Sequence, residues 1–181
     1  MRLRAARLSD AAAVADIYRP YVTDTAVSFE TEPPDAEVMR ARMAEAGPLY
    51  PWFVALDPAD AILGYAYAAA FRTRSAYRFV VETTVYVRLG AHGRGVGHAL
   101  YERLIDTLER QGFSQAIAAI TLPNAASVGL HERLGFVAAG AYRRVGHKLG
   151  SWHDVGLWQR PLAEPRDPPA EPLPLDSVQL G

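Results

Sequence analysis

The chain contains no cysteine. That absence removes disulfide bridges, thiolate-ligated metals and any acyl-cysteine intermediate, so the chemistry must run on oxygen and nitrogen groups. Nor is either sign of charge in excess: 19 Lys and Arg stand against 20 Asp and Glu, for a formal net charge of −1. A nucleic-acid binder would carry a basic surplus or a run of like charge, and neither is present. No stretch approaches the ~18 consecutive apolar residues of a membrane span. The opening MRLRAARLSD has no apolar core, so no secretory leader is expected and the expected location is cytoplasmic. There is no internal repeat. What is present is 181 residues, 50% of them hydrophobic, which suffices for one domain with a sizeable core.

Leu3 to Ala6 reads as a short strand. Ser9-Asp10 can cap a helix with Ala13, Val14, Ile17 and Tyr21 on its apolar face, ending near Thr23. Pro33-Pro34 forbids helix before it, and Asp35 can start a second helix over Val38, Met39 and Met43. Phe29 and Glu30 fall in the loop between the two helices, where a phenylalanine serves either as a core plug or as a substrate wall. Trp52–Leu56 and Ile62–Phe71 read as strands around an Asp57-Pro58-Ala59-Asp60 turn, and a third strand spans Val80–Arg88. A helix from Val96 to about Arg110 ends at Gly112, a strand covers Ala116–Thr121, and Asn124 opens a helix through Leu134. Val137–Gln159 is a final hairpin turning near residues 146–150, with Trp152 read as a packing residue. The order β α α β β β α β α β β implies a mixed α/β (α+β) domain with a mostly antiparallel central sheet flanked by helices. After Arg160 the prolines crowd together without apolar periodicity. Residues 1–160 are therefore read as the folded domain and 161–181 as a proline-rich, extended C-terminal tail.

The chemistry concentrates in VVETTVYVRLGAHGRGVGHAL, residues 80–100. In the strand, Val81, Thr83, Val85 and Val87 share one face while Glu82, Thr84 and Tyr86 share the other. A carboxylate set into a sheet is either ion-paired or poised as a base, because burial disfavours its charged form. The strand's end feeds glycines at 90, 93, 95 and 97 into a helix. Glycines permit positive φ and close approach, and the free N–H groups of a helix start attract phosphate. The spacing fits neither a P-loop, since Val96 stands where Lys is needed, nor a dinucleotide fingerprint, since residue 98 is His. An anion cradle and a plain flexible turn both remain open on the residues alone.

Arg72 and Arg74 are two apart and share a face of any extended segment. Antiparallel reversal about residue 77 would set Arg72 opposite Glu82, giving a cationic grip for a carboxylate beside a proton acceptor, or a simple salt bridge. Asn124, Ser127 and His131 fall on one face of their helix and line either a ligand groove or a solvated stripe.

The loop fits the acyl-CoA signature Gln/Arg-x-x-Gly-x-Gly/Ala of the GNAT N-acetyltransferase superfamily, with His92 where Gln or Arg is usual and with Arg94 beside it. The blocks SFETEPP at 28–34, GYAYAAAFRTRSAY at 64–77, VETTVYV at 81–87, LPNAASVGLHERLGF at 122–136 and VGHKLGSWHDVGLWQ at 145–159 resemble the phosphinothricin and methionine sulfoximine N-acetyltransferase group of that superfamily. The resemblance implies a splayed central sheet, acetyl-CoA as co-substrate without a metal, and transfer of its acetyl group to the amine of a small glutamate-like amino acid by direct attack. It implies Glu82 as general base and His131 as the group that protonates the thiolate. It further implies acetyl-CoA contacts from Val85, Tyr86, Val87, His92, Gly93, Arg94, Gly95, Val96, Gly97, Asn124 and Ser127. The substrate contacts it implies are Phe29, Arg72, Arg74, Thr83 and Thr84, and the assembly a homodimer. Two other readings are a protein N-terminus or another amine as acceptor, and a non-catalytic acyl-CoA sensor.

Overall fold

In the computed structural model, residues 1–164 and 166–178 are described. The chain folds in the order β1 (Arg2–Ala5), α1 (Ala11–Thr23), α2 (Ala36–Glu45), β2 (Trp52–Leu56), β3 (Ile62–Ala70), β4 (Val80–Val87), α3 (Val96–Gln111), β5 (Gln115–Leu122), α4 (Ala125–Arg133), β6 (Val137–Lys148) and β7 (Ser151–Pro161), with single 3-10 turns between some of them. One seven-stranded sheet runs β1-β2-β3-β4-β5-β7-β6. Every pairing is antiparallel except β4 with β5.

Strand alternation divides the core into two layers. Phe53 and Ala55 of β2, Ala66 and Ala68 of β3, and Val81 of β4 face α3, whose Leu100, Tyr101, Leu104, Ile105 and Leu108 are at most 2% exposed. Val54, Leu56, Ile62 and Tyr65 face the opposite way, onto Val14, Ile17 and Tyr18 of α1 and Met39 and Met43 of α2. These are the period-2 and period-3.6 patterns meeting at one surface. Asp35 caps α2 by accepting from the N–H groups of Glu37 and Val38. Val38 itself is exposed, because the helix turns only Met39 and Met43 inward.

The final hairpin turns at Leu149-Gly150, both with positive φ. Trp152, expected to pack, stands 63% exposed beside His147 of the edge strand β6, next to the hairpin turn at Leu149-Gly150. Among the described tail residues, the Leu173 N–H donates to Gln111 O and the Leu175 N–H to Pro48 O. Glu171 pairs with Arg78, so this stretch lies along the body. No helix among the described residues is long and apolar enough to cross a membrane.

Candidate active site

The strands β4 and β5 pair only at Val80, Val81 and Glu82, opposite Gln115, Ala116 and Ile117. Beyond that point β4 keeps its ladder with β3 as far as Val87, and β5 keeps its own with β7 as far as Leu122. The sheet is therefore split, and peptide groups on both lips of the split have no partner strand. A cleft of about 60 Å³ opens there, with Thr83, Thr84, Val85 and Tyr86 on one side and Asn124, Ser127 and His131 of α4 on the other. Asn124 caps α4 by accepting from the Ser127 N–H, which turns the helix's first polar residues toward the gap.

The glycine loop closes the open end of the split. Gly90, Gly93 and Gly95 have φ of 84°, 73° and 77°, and a Cβ on any of them would meet nothing within 4 Å. It is therefore backbone conformation that requires these glycines. Gly97 is different. A Cβ there would meet Val87 at 3.4 Å and Leu130 at 3.5 Å, ordinary contact distances, so the start of α3 lies beside both the β4 lip and α4. The first-turn N–H groups of α3 have no intrahelical acceptor, and they carry the positive end of the helix dipole. A turn of this kind, with open space above it at the mouth of a strand-lined cleft, fits a diphosphate leading into an extended chain.

The side chain of His92 does not join that cradle. Its Nε2 lies 2.8 Å from the Tyr21 hydroxyl, which itself donates to the Val87 carbonyl. With the tyrosine proton committed, Nε2 carries the hydrogen of the first bond. Val87's carbonyl is thereby already occupied, while the exposed Arg94 remains on the loop's outer side.

Glu82 stands where the split begins. It is half-buried on the α1/α2 face, opposite Ala69 of β3. Burial raises its pKa and the charge of Arg72 works against that rise. The expected Arg72–Glu82 register is corrected by three residues, because the chain reverses through a 3-10 turn at Ser75–Tyr77 and the pairing centres before residue 77, with Ala69 opposite Glu82. Arg72 lies beyond the strand with its guanidinium 4.6 Å over the Phe71 ring, and Arg74 is exposed in the same loop. On Glu82's face lies a second cavity of about 330 Å³, walled by Trp52, Tyr65, Tyr67, Ala69 and Arg42. The stacked rings of Trp52 and Tyr67, 4.1 Å apart, give it a flat apolar side. Phe29 is neither a core plug nor isolated. It is 38% exposed, with its ring laid against Gly146 of β6.

The opposite face of β4 carries the histidine. His131 is 4% exposed, with Nδ1 2.8 Å from the Ser127 carbonyl and Nε2 2.9 Å from the Tyr101 hydroxyl; Tyr101 in turn donates to Thr83 Oγ1 at 2.7 Å. A carbonyl only accepts, so Nδ1 holds a proton. When Tyr101 donates to Thr83, Nε2 must also be protonated; when the tyrosine proton turns toward Nε2, the imidazole is neutral. Burial favours the neutral ring by lowering the His131 pKa. The chain from Thr83 through Tyr101 to His131 can thus take up or release one proton by turning hydroxyls. Glu82 and His131 lie on opposite faces of the sheet, at the point where β4 and β5 part.

Residues 3–157 match the acetyltransferase (GNAT) domain. The chain is 41% identical to the phosphinothricin N-acetyltransferase of Streptomyces viridochromogenes over 174 residues, which covers 96% of this chain and 94% of that one. It is 38% identical to the L-methionine sulfoximine/L-methionine sulfone acetyltransferase of Pseudomonas paraeruginosa, covering 92% and 98%. A crystal structure of a phosphinothricin acetyltransferase from Sinorhizobium meliloti in complex with acetyl-CoA superposes with a TM-score of 0.89 at 40% identity, covering 94% and 92%. The chain belongs to the GNAT acetyltransferase family. Membership makes it an acetyl-CoA-dependent N-acetyltransferase.

For this GNAT acetyltransferase, the sequence reading missed three participants near the site. Tyr101 lies in an apolar helical stripe that reads as core. Arg42 sits on the polar side of α2, yet it bonds both oxygens of Glu30 at 2.7 and 2.9 Å. Lys148 closes β6 with its Nζ 2.6 Å from the Ser28 carbonyl. Only the second carried a signal, a charge on a short helix after a loop carboxylate. Among the described residues, no cluster of His, Asp and Glu could hold a metal ion.

Proposed function

We propose that the enzyme acetylates the amine of a small glutamate-like amino acid of the phosphinothricin or methionine sulfoximine type, with Glu82 as general base. The position of Glu82 carries this reading: a carboxylate with a raised pKa at the last residue where β4 and β5 still pair, between the split and a cavity on its own face. The amine arrives as an ammonium and cannot attack until it loses a proton. A buried carboxylate with a raised pKa is a stronger base than an exposed one and can take that proton directly or through a water.

Acetyl-CoA supplies the acyl group as a thioester. The N–H groups of residues 92–97 would hold its diphosphate, and the β4 lip at Val85 to Val87 would hold the arm that follows. Asn124 and Ser127 would contact it from α4. A main-chain N–H near Val85 would face the carbonyl oxygen as it gains charge, and one such donor is typically worth about 3 kcal/mol. His131 would return a proton to the departing sulfur. Both its ring nitrogens already bond within the protein, so the Ser127 or Tyr101 hydroxyl would relay that proton. Arg72 and Arg74 would hold the acceptor's carboxylate, with Phe29, Thr83 and Thr84 shaping its surroundings.

The exposed strand β6, with Val137, Tyr142 and Val145 each at least 49% exposed, supports a homodimer that buries this edge. A cytoplasmic location accords with a substrate drawn from free amino acids. The deciding experiment is thiol release from acetyl-CoA against a panel of amino acids, sulfoximines and N-terminal peptides. Turnover confined to peptides would replace the proposed acceptor, and acetyl-CoA binding without thiol release on any amine would replace the enzyme reading with a sensor.

A further inference from the structure

Of the 19 Lys and Arg residues in the sequence, only Lys148 is a lysine. It is also 8% exposed, in a residue type almost never buried without a partner. Its ammonium donates to the Ser28 carbonyl at 2.6 Å; burial lowers its pKa, and the charge of Glu30 works against that fall. Two residues back on the same strand, Gly146 meets the Phe29 ring, and a side chain at 146 would fall inside that ring. Positions 146 and 148 share a strand face. The end of β6 therefore grips the segment 27–30 at adjoining points.

That segment separates the two cavities. Val27 lines the cleft between β4 and β5, and its carbonyl accepts from Thr121 of β5 at 3.4 Å. On the far side, Ser28 Oγ lies 2.6 Å from the Tyr18 hydroxyl and Glu30 bonds Arg42, and both Tyr18 and Arg42 line the larger cavity. We propose that Lys148 is a positioning residue for acetyl transfer: its buried ammonium holds residues 27–30 as the partition between the donor cleft and the acceptor cavity. A compact ammonium suits one carbonyl in a narrow space, where the broad guanidinium fork used at the chain's other basic positions does not. The role rests on the acceptor site proposed above.

Two measurements test it. For turnover on methionine sulfoximine, Lys148→Met should raise KM for the amine by about tenfold, as loss of a buried charged hydrogen bond does, and leave KM for acetyl-CoA within about twofold. Because the chain has no cysteine, Lys148→Cys alkylated with 2-bromoethylamine during refolding places an ammonium at this position alone, and it should recover most of the lost amine affinity. Independently of turnover, amides of residues 28–30 should exchange with deuterium faster in Lys148→Met than in the wild type. An unchanged amine KM, or an equal rise in both KM values with a fall in thermal midpoint, would overturn the positioning role. If the wild type acetylates no amine, the acceptor reading fails by itself. The exchange measurement then decides on the latch, and unaltered protection at 28–30 removes it.

Discussion

The Tyr101 hydroxyl lies 2.9 Å from His131 Nε2, and neither residue is more than 4% exposed. A buried imidazole with one nitrogen on a carbonyl and the other on a hydroxyl has no spare partner. Tyr101→Phe therefore leaves Nε2 unsatisfied and cuts the chain to Thr83. An unsatisfied buried polar group costs about 1–3 kcal/mol of stability, read as a lower thermal midpoint, and the broken proton path should lower turnover while calorimetric binding of coenzyme A is unchanged. Undiminished turnover in this variant would take the tyrosine out of the proton path.

Glu82→Gln should lower turnover by roughly 10²–10⁴-fold, the usual span for a positioned base, and leave coenzyme A affinity alone. The same substitution should raise thermal stability at pH 7. Burial raises the folded-state pKa of Glu82. The stability it contributes is therefore present while the group is protonated in both states, and it is lost as pH rises through the folded-state value. A permanently neutral glutamine avoids that loss. Scanning calorimetry should show the variant's advantage at neutral pH closing as pH falls below the ordinary glutamate range. A variant that melts earlier at pH 7 would mean that Glu82 is held by a partner rather than stranded.

Arg72 opposes the upward shift at Glu82. Removing it with Arg72→Ala should let the Glu82 pKa rise further, which moves the acid limb of the kcat/KM profile toward higher pH. KM for a carboxylated amine should rise as well, with acetyl-CoA unaffected. A fixed acid limb would place Arg72 too far away to act on the base, whatever happens to KM.

The order of helices and strands was legible because each element carries its own period, and the caps at Asp35 and Asn124 and the stop at Gly112 sit where residue chemistry puts them. The faces of β4 were equally plain, so Thr83 toward α3 and Tyr86 toward α1 followed from alternation. Local pattern cannot say where two strands stop pairing, so the split after Glu82 came from family likeness alone. The loop between β3 and β4 hides its 3-10 turn among Ser, Ala and Tyr, none of them a strong turn former, and that displaced Arg72 by three residues. Lys148 was illegible as a latch because its partner lies 120 residues away in sequence.

Gly64 and Gly95 are both required, for reasons that separate experimentally. A Cβ on Gly64 would lie 2.8 Å from the Tyr86 carbonyl oxygen, a backbone atom that cannot swing aside, and 3.2 Å from Leu100 and from Val96. Gly64→Ala must therefore push β3 from β4 or from α3, an overpacking that typically costs about 1–3 kcal/mol, read as a lower thermal midpoint. Gly95 has open space but a φ of 77°, and it begins the helix that faces the split. Gly95→Ala strains that turn by about 1 kcal/mol and tilts the N–H groups of the first turn, so its main effect should be a higher KM for acetyl-CoA with an unchanged amine KM. The reverse pattern, with Gly64→Ala weakening the donor and Gly95→Ala only melting the fold, would mean that the glycine turn serves structure and not the diphosphate.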